Sequence, residues 1–143
     1  DLWRAAKRTG LEEAFTWSII DRWGEHPGFV SAMASTVEDG LEAYPEAERD
    51  EVLVMFSAHS LPLSVIDRGD AYPAEIAASV SRVVETIGLK NPWMVTYQSE
   101  VGPVRWLGPS TETVIEQLAA RGQKNLLVVP IAFTSDHIET LSE

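Results

Sequence analysis

No cysteine occurs anywhere in the chain. This excludes a disulfide framework, a thiolate metal site and a thiol nucleophile within these residues. Basic residues are scarce: eleven Lys and Arg stand against 22 Asp and Glu, a formal net charge of −11. Nucleic-acid affinity rests largely on phosphate neutralisation by Lys and Arg, so no nucleic acid is expected as a partner. Electrostatic docking on anionic lipid is disfavoured on the same ground. Long apolar runs are missing too. The longest, such as Leu126-Leu-Val-Val129, are far short of a membrane span. No targeting segment, internal repeat, low-complexity tract or linker is recognisable.

What remains is 143 residues, 45% hydrophobic, enough for the core of one ordinary domain. The chain starts at Asp1 rather than Met and stops at Glu143 inside an unfinished helical pattern. It is therefore expected to be a piece of a longer polypeptide.

Residues 2–10 read as a helix ending at Gly10. Phe15-Thr-Trp-Ser-Ile-Ile20 has the β-branched and aromatic character of a short strand. Asp21 to Gly28 is a loop punctuated by glycine and proline. In residues 29–43, Phe29, Val30, Met33, Val37 and Leu41 recur at helical spacing. Residues 45–50 form a charged connection. Val52-Leu-Val-Met-Phe56 is a continuous apolar run, as in a strand covered on both faces of a parallel sheet. It ends in Ser57-Ala-His-Ser-Leu-Pro62, which puts His59 just past the strand. Pro73 fits the first turn of a helix running to about Gly88. Trp93-Met-Val-Thr-Tyr97 is the next strand, and the loop from Gln98 to Gly108 follows. A third helix covers about 109–121, and 126–131 is the last strand. Strands alternating with such helices imply βαβ units. The expected fold is α/β, a Rossmann-like, mostly parallel sheet flanked by helices.

In open sheets of this kind ligands bind outside the carboxyl ends of the strands. Three such ends carry distinctive chemistry: His59, the Gln98–Trp106 loop, and the segment holding Asp136, His137 and Glu139. If residues 135 onward are helical, Asp136, Glu139 and Glu143 share one face, with His137 one position round from it. A histidine beside stacked carboxylates can bind a divalent cation or move protons. Asp136 and Glu139 equally fit a helix cap and capping box, whereas His137 and Glu143 are not needed for one. His59 fits either a hydrogen-bonded strand-end turn or a functional role on the rim. Trp106 and Phe133 fit either packing anchors or platforms for a flat aromatic ligand. A serine-hydrolase reading of Ser57 or Ser60 lacks the G-x-S-x-G elbow.

Taken in order, Phe56-Ser-Ala-His-Ser-Leu-Pro62, Asp67-Arg-Gly-Asp70 with Tyr72-Pro73, Tyr97-Gln-Ser99 with Val101-Gly-Pro103, Trp106-Leu-Gly-Pro109 and Val129-Pro-Ile-Ala-Phe-Thr-Ser-Asp-His-Ile-Glu-Thr-Leu141 resemble ferrochelatase. Trp17-Ser-Ile-Ile-Asp-Arg-Trp23 fits as well, so the resemblance covers essentially the whole chain. The wording of Ser57 to Pro62 and Phe133 to His137 is similar to the mitochondrial branch. Two positions depart from the pattern: Glu100 stands where relatives often have a basic or amide residue, and Arg105 where many have proline.

The resemblance implies two Rossmann-like halves around a porphyrin cleft. Residues 1–143 would be most of the C-terminal half, without the N-terminal half and the C-terminal extension. It implies insertion of ferrous iron into protoporphyrin IX to give haem. His59 and Glu139 would be catalytic, and His59, Asp136, His137, Glu139 and Glu143 would form the metal and proton path. Trp106 and Phe133 would line the porphyrin. Iron is then a substrate, and no bound cofactor is expected of this segment. With no cysteine, not even near Ala32 where cluster-bearing members are expected to have a ligand, an iron–sulfur cluster of the animal type is not expected here. The implied partners are protoporphyrin IX, ferrous iron and a second copy in a homodimer. The implied place is the matrix side of the mitochondrial inner membrane, held peripherally, with the bacterial cytoplasm or membrane surface as the alternative. The rival readings are a chelatase for another metal and tetrapyrrole, such as cobalt, and a non-catalytic α/β ligand-binding module.

Overall fold

The computed structural model describes residues 2–135. In chain order these form α1 (Leu2–Thr9), α2 (Pro27–Glu42), α3 (Glu46–Arg49), β1 (Leu53–His59), α4 (Leu63–Ile66), α5 (Tyr72–Ile87), β2 (Trp93–Gln98), α6 (Thr111–Ala120) and β3 (Leu126–Pro130). The three strands make one sheet in the order β2-β1-β3, and both pairings are parallel. In register, Phe56 stands between Val95 and Val129, and Ser57 between Thr96 and Pro130.

β1 is continuously apolar because it is the middle strand and is covered on both faces. Its side chains alternate between those faces. Val54, Phe56 and Ala58 enter the core shared with Val30, Val37 and Leu41 of α2 and Ile76, Val80 and Val83 of α5. Ser57 points the other way and bonds to Thr111 at the start of α6. Thus α2 and α5 cover one face and α6 the other. Phe56 is fully buried among aliphatic neighbours and meets Trp93 edge-on at 6.3 Å. Replacing such a side chain by alanine removes about 3–5 kcal/mol in typical cores.

Local chemistry sets the helix limits. Pro27 supplies a preset φ at the start of α2, while His26 caps it by accepting from Gly28 N at 3.1 Å. The α5 helix ends at Gly88, whose φ of 60° places it in the left-handed region where glycine has no Cβ to clash. At its other end, Asp70 Oδ1 accepts from Tyr72 N at 2.9 Å and turns the chain into the helix.

Three details differ from the sequence expectation. Residues 15–20 are not a strand, because none of the described strands lies beside them to complete a ladder; their aromatic character is spent on the Trp3–Trp17 and Phe15–Trp17 edge contacts at 6.1 and 6.2 Å. The charged connection after Pro45 contains the single turn α3, whose early acids Glu46 and Glu48 suit a helix N-terminus. His59 is the last residue of β1 rather than the first beyond it, since its register partner Gln98 extends the ladder that far.

Candidate functional site

With all three strands parallel, their carboxyl ends open on one rim. β1 delivers His59 there, half-buried, next to the fully buried Ser60. The segment after β3 carries Phe133, whose ring lies 6.5 Å from the His59 ring at 59° between planes. The loop after β2 folds back over the end of β1. Ser60 N donates to Gln98 O at 2.8 Å, and Ser60 Oγ donates to Leu107 O at 2.7 Å. Leu107 N donates to Leu61 O and Leu63 N to Arg105 O, each at 2.8 Å, framing an antiparallel bridge between Pro62 and Trp106. Trp106 is thereby fixed against Pro62, three residues past His59, with its indole Nε1 buried and without a hydrogen-bond partner among the described residues.

The tautomer of His59 follows from these partners. Nδ1 lies 2.6 Å from Ser60 O. A carbonyl oxygen can only accept, so Nδ1 carries the hydrogen and, in the neutral ring, Nε2 holds the lone pair. A neutral imidazole fixed in this way presents one defined basic nitrogen, the requirement for accepting a proton from a bound ligand.

Beneath the rim lies a hydroxyl and amide network. Ser57 Oγ donates to Gln98 Oε1 at 2.6 Å and lies 3.0 Å from Thr111 Oγ1, which donates to Thr96 Oγ1 at 2.8 Å. It joins β1, β2 and α6 just below the loop. Ser57 and Thr96 are fully buried, so their hydroxyls need these partners. Ser57 and Ser60 are thus occupied as structural hydroxyls, in keeping with the missing nucleophile elbow.

Tyr72, at the first turn of α5, reaches back to β1 and donates to His59 O at 2.9 Å. Burial is the main cause that pushes its phenol pKa up to about 12, with neighbouring Tyr97 adding to the rise and the bond to His59 opposing it. Tyr97 is also raised by burial. Both phenols stay protonated across the physiological range. In the sequence Tyr72 stands out only as part of the Tyr72-Pro73 motif. The available signal was its place on the crossover helix after β1, which brings that helix's first turn back over the strand end.

Two cavities flank the rim. One, of about 480 Å³, lies by α2 and α5 and is lined by His26, Phe29, Tyr72, Glu75, Ile131 and Thr134 among others. The other, of about 880 Å³, lies by α6 and is lined by Gln98, Glu100, Thr111, Glu112 and Val128 among others. His59, Trp106 and Phe133 border neither. The unusual Glu100 side chain is exposed, and Arg105 contributes its carbonyl to the rim, an atom proline would supply equally. Asp136, His137, Glu139 and Glu143 lie outside the described residues. Among the described residues no group of three or more metal-ligating side chains converges.

Residues 1–143, the entire chain, match the family description Ferrochelatase. The chain belongs to the ferrochelatase family. The mitochondrial ferrochelatase of Schizosaccharomyces pombe is 50% identical over 143 residues, covering 100% of this chain and 34% of that protein. Those of Xenopus laevis and Homo sapiens are 49% and 47% identical over 142 residues, each covering 99% of this chain and 34% of the relative. The chain thus spans about a third of the length of these curated ferrochelatases. The parallel three-stranded sheet flanked by helices is consistent with a ferrochelatase-type fold and with the Rossmann-like expectation. An iron–sulfur cluster does not fit this segment of a ferrochelatase: without cysteine it offers no thiolate.

Proposed function

We propose that the protein containing this chain inserts ferrous iron into protoporphyrin IX to give haem, and that residues 1–143 form most of the C-terminal half of its cleft. The observation that carries this reading is His59 in a defined tautomer beside Phe133 and the Trp106 loop, within a chain that is ferrochelatase-like from end to end.

Metallation replaces two pyrrole N–H protons with one divalent cation, so two protons must leave as the metal–nitrogen bonds form. Nε2 of His59 accepts a pyrrole proton and becomes imidazolium, then releases it before taking the second. Glu139, which by resemblance matches the family's catalytic acid, supplies the acidic route with Asp136, His137 and Glu143. Carboxylate oxygens suit a hard divalent ion and relay protons outward. Trp106 and Phe133 bury the apolar macrocycle and favour a bent over a flat ring. Ferrous iron is the substrate throughout. The working form is a homodimer associated peripherally with the mitochondrial inner membrane on its matrix side. The mitochondrial part of this reading is supported by the names of the relatives.

The test is full-length protein with zinc and protoporphyrin, followed by product fluorescence. Wild type turns over; porphyrin bound without turnover overturns the chelatase reading. His59→Ala lowers the rate at saturating metal by about 10²- to 10⁴-fold, the usual range for a general base. An unchanged rate removes His59 from proton transfer. The 143-residue piece alone is expected to be inactive.

A further inference from the structure

We propose that Tyr72 is a positioning residue for His59, acting through the peptide that joins His59 to Ser60. This rests on the chelatase reading for its kinetic consequence but not for its geometry. Both polar atoms of that peptide are held from outside β1. The carbonyl accepts from the Tyr72 hydroxyl at 2.9 Å, and the Ser60 N–H donates to Gln98 O at 2.8 Å. The carbonyl one residue further on, Ser60 O, accepts from His59 Nδ1 at 2.6 Å. The ring is therefore steered by a turn whose plane Tyr72 helps to fix.

The tyrosine itself is well anchored. Its backbone N–H donates to Asp70 Oδ1 at 2.9 Å, and it opens the sixteen-residue helix α5, whose inner face is part of the core. Its hydroxyl is a permanent neutral donor at physiological pH. If the His59–Ser60 peptide rotates, the Nδ1–H bond to Ser60 O weakens, and with it the hold of that bond on the ring's orientation and tautomer. Orientation errors of this kind lower the reactive step more than binding. A phenylalanine at 72 keeps the ring that packs on the core and deletes only the donor.

The chain provides its own control. Tyr44 makes the same type of bond, hydroxyl to Leu126 O at 2.8 Å, at the opposite, amino-terminal end of the sheet. A purely structural contribution predicts similar behaviour of Tyr44→Phe and Tyr72→Phe. Positioning predicts that only Tyr72→Phe alters His59.

The experiment uses full-length protein labelled with 15N-histidine, its His59 signal assigned by loss in His59→Ala. Wild type should show a single Nδ1–H tautomer in the neutral ring. Tyr72→Phe should show mixed tautomers, with kcat for zinc insertion down by about 10- to 100-fold and KM for porphyrin within about twofold. Tyr44→Phe should match wild type in both. Asp70→Ala, which frees the Tyr72 backbone, should shift the same signals in the same direction by less, and stands in if Tyr72→Phe does not fold. Wild-type tautomer and kcat in Tyr72→Phe, or equal changes in Tyr44→Phe, overturn the inference. Absence of turnover in wild type overturns the chelatase reading instead, while the tautomer signal still decides the role of Tyr72.

Discussion

Two irregular stretches of this molecule both carry aromatic and aliphatic residues and have opposite fates. The loop of residues 99–110 is bound to the end of β1 by backbone and hydroxyl hydrogen bonds at Arg105 and Leu107, with a bridge at Trp106. The stretch of residues 10–26 is held by contacts near in sequence, Trp17 Nε1 to Leu11 O at 3.3 Å and the Trp3–Trp17 pair, and reaches α5 through an Arg22–Glu75 ion pair at 2.9 Å whose side chains are largely exposed. Phe15 remains 62% exposed and Ile20 82%. Apolar composition alone therefore orders neither stretch. The loop is fixed because its polar backbone is satisfied by distant residues.

Ser60→Ala is the sharpest way to break this contrast. It removes the donor to Leu107 O in a fully buried site. A loss of about 1–3 kcal/mol by urea denaturation is expected, the usual consequence of stranding a buried acceptor. A loss below about 0.5 kcal/mol, the surface range, would place the loop with residues 10–26.

A smaller effect is expected in alkali. The folded pKa of Tyr72 is about 12, above the ordinary value of 10. Below pH 10 both states keep the proton and the native state loses nothing. Between pH 10 and 12 the unfolded chain ionises while the folded phenol does not, so stability falls as pH rises. Tyr97 adds in the same direction. Denaturation midpoints across this window should decline, and less steeply in Tyr72→Phe. A decline of the same steepness in the variant would detach the effect from the rim. Residues 10–26 contain no tyrosine and contribute no such phenol.

The smallest effect is expected from Ile20→Ser. With its side chain mostly in solvent, the change in this chain's stability should stay within about 0.5 kcal/mol in the same assay. A larger loss would show packing around Ile20 beyond what its exposure indicates.

The elements that sequence pattern reveals are those whose cause is local or periodic. β1 is visible because Val52 to Phe56 is apolar without interruption, and α5 because Ile76, Val80 and Val83 recur at helical spacing between Pro73 and Gly88. Residues 15–20 misled because a strand needs a partner as well as propensity. The rim was legible in outline: His59 and Phe133 do approach, and Trp106 does fold toward the β1 exit. The means were not. Bonds from Ser60 to Leu107 and from Tyr72 to His59 span 47 and 13 positions and leave no spacing signature. The strand order likewise depends on long-range pairing.

That order has one more consequence. From β1 the chain crosses to β2 by way of α5 on one face, and returns past β1 to β3 by way of α6 on the other. The two connections part company above the end of β1, the switch point where open α/β sheets leave a crevice. The place of residue 59 on that rim is thus a property of the winding of the chain, not of the imidazole. Chemistry at that position can change by substitution while its place at the strand end persists.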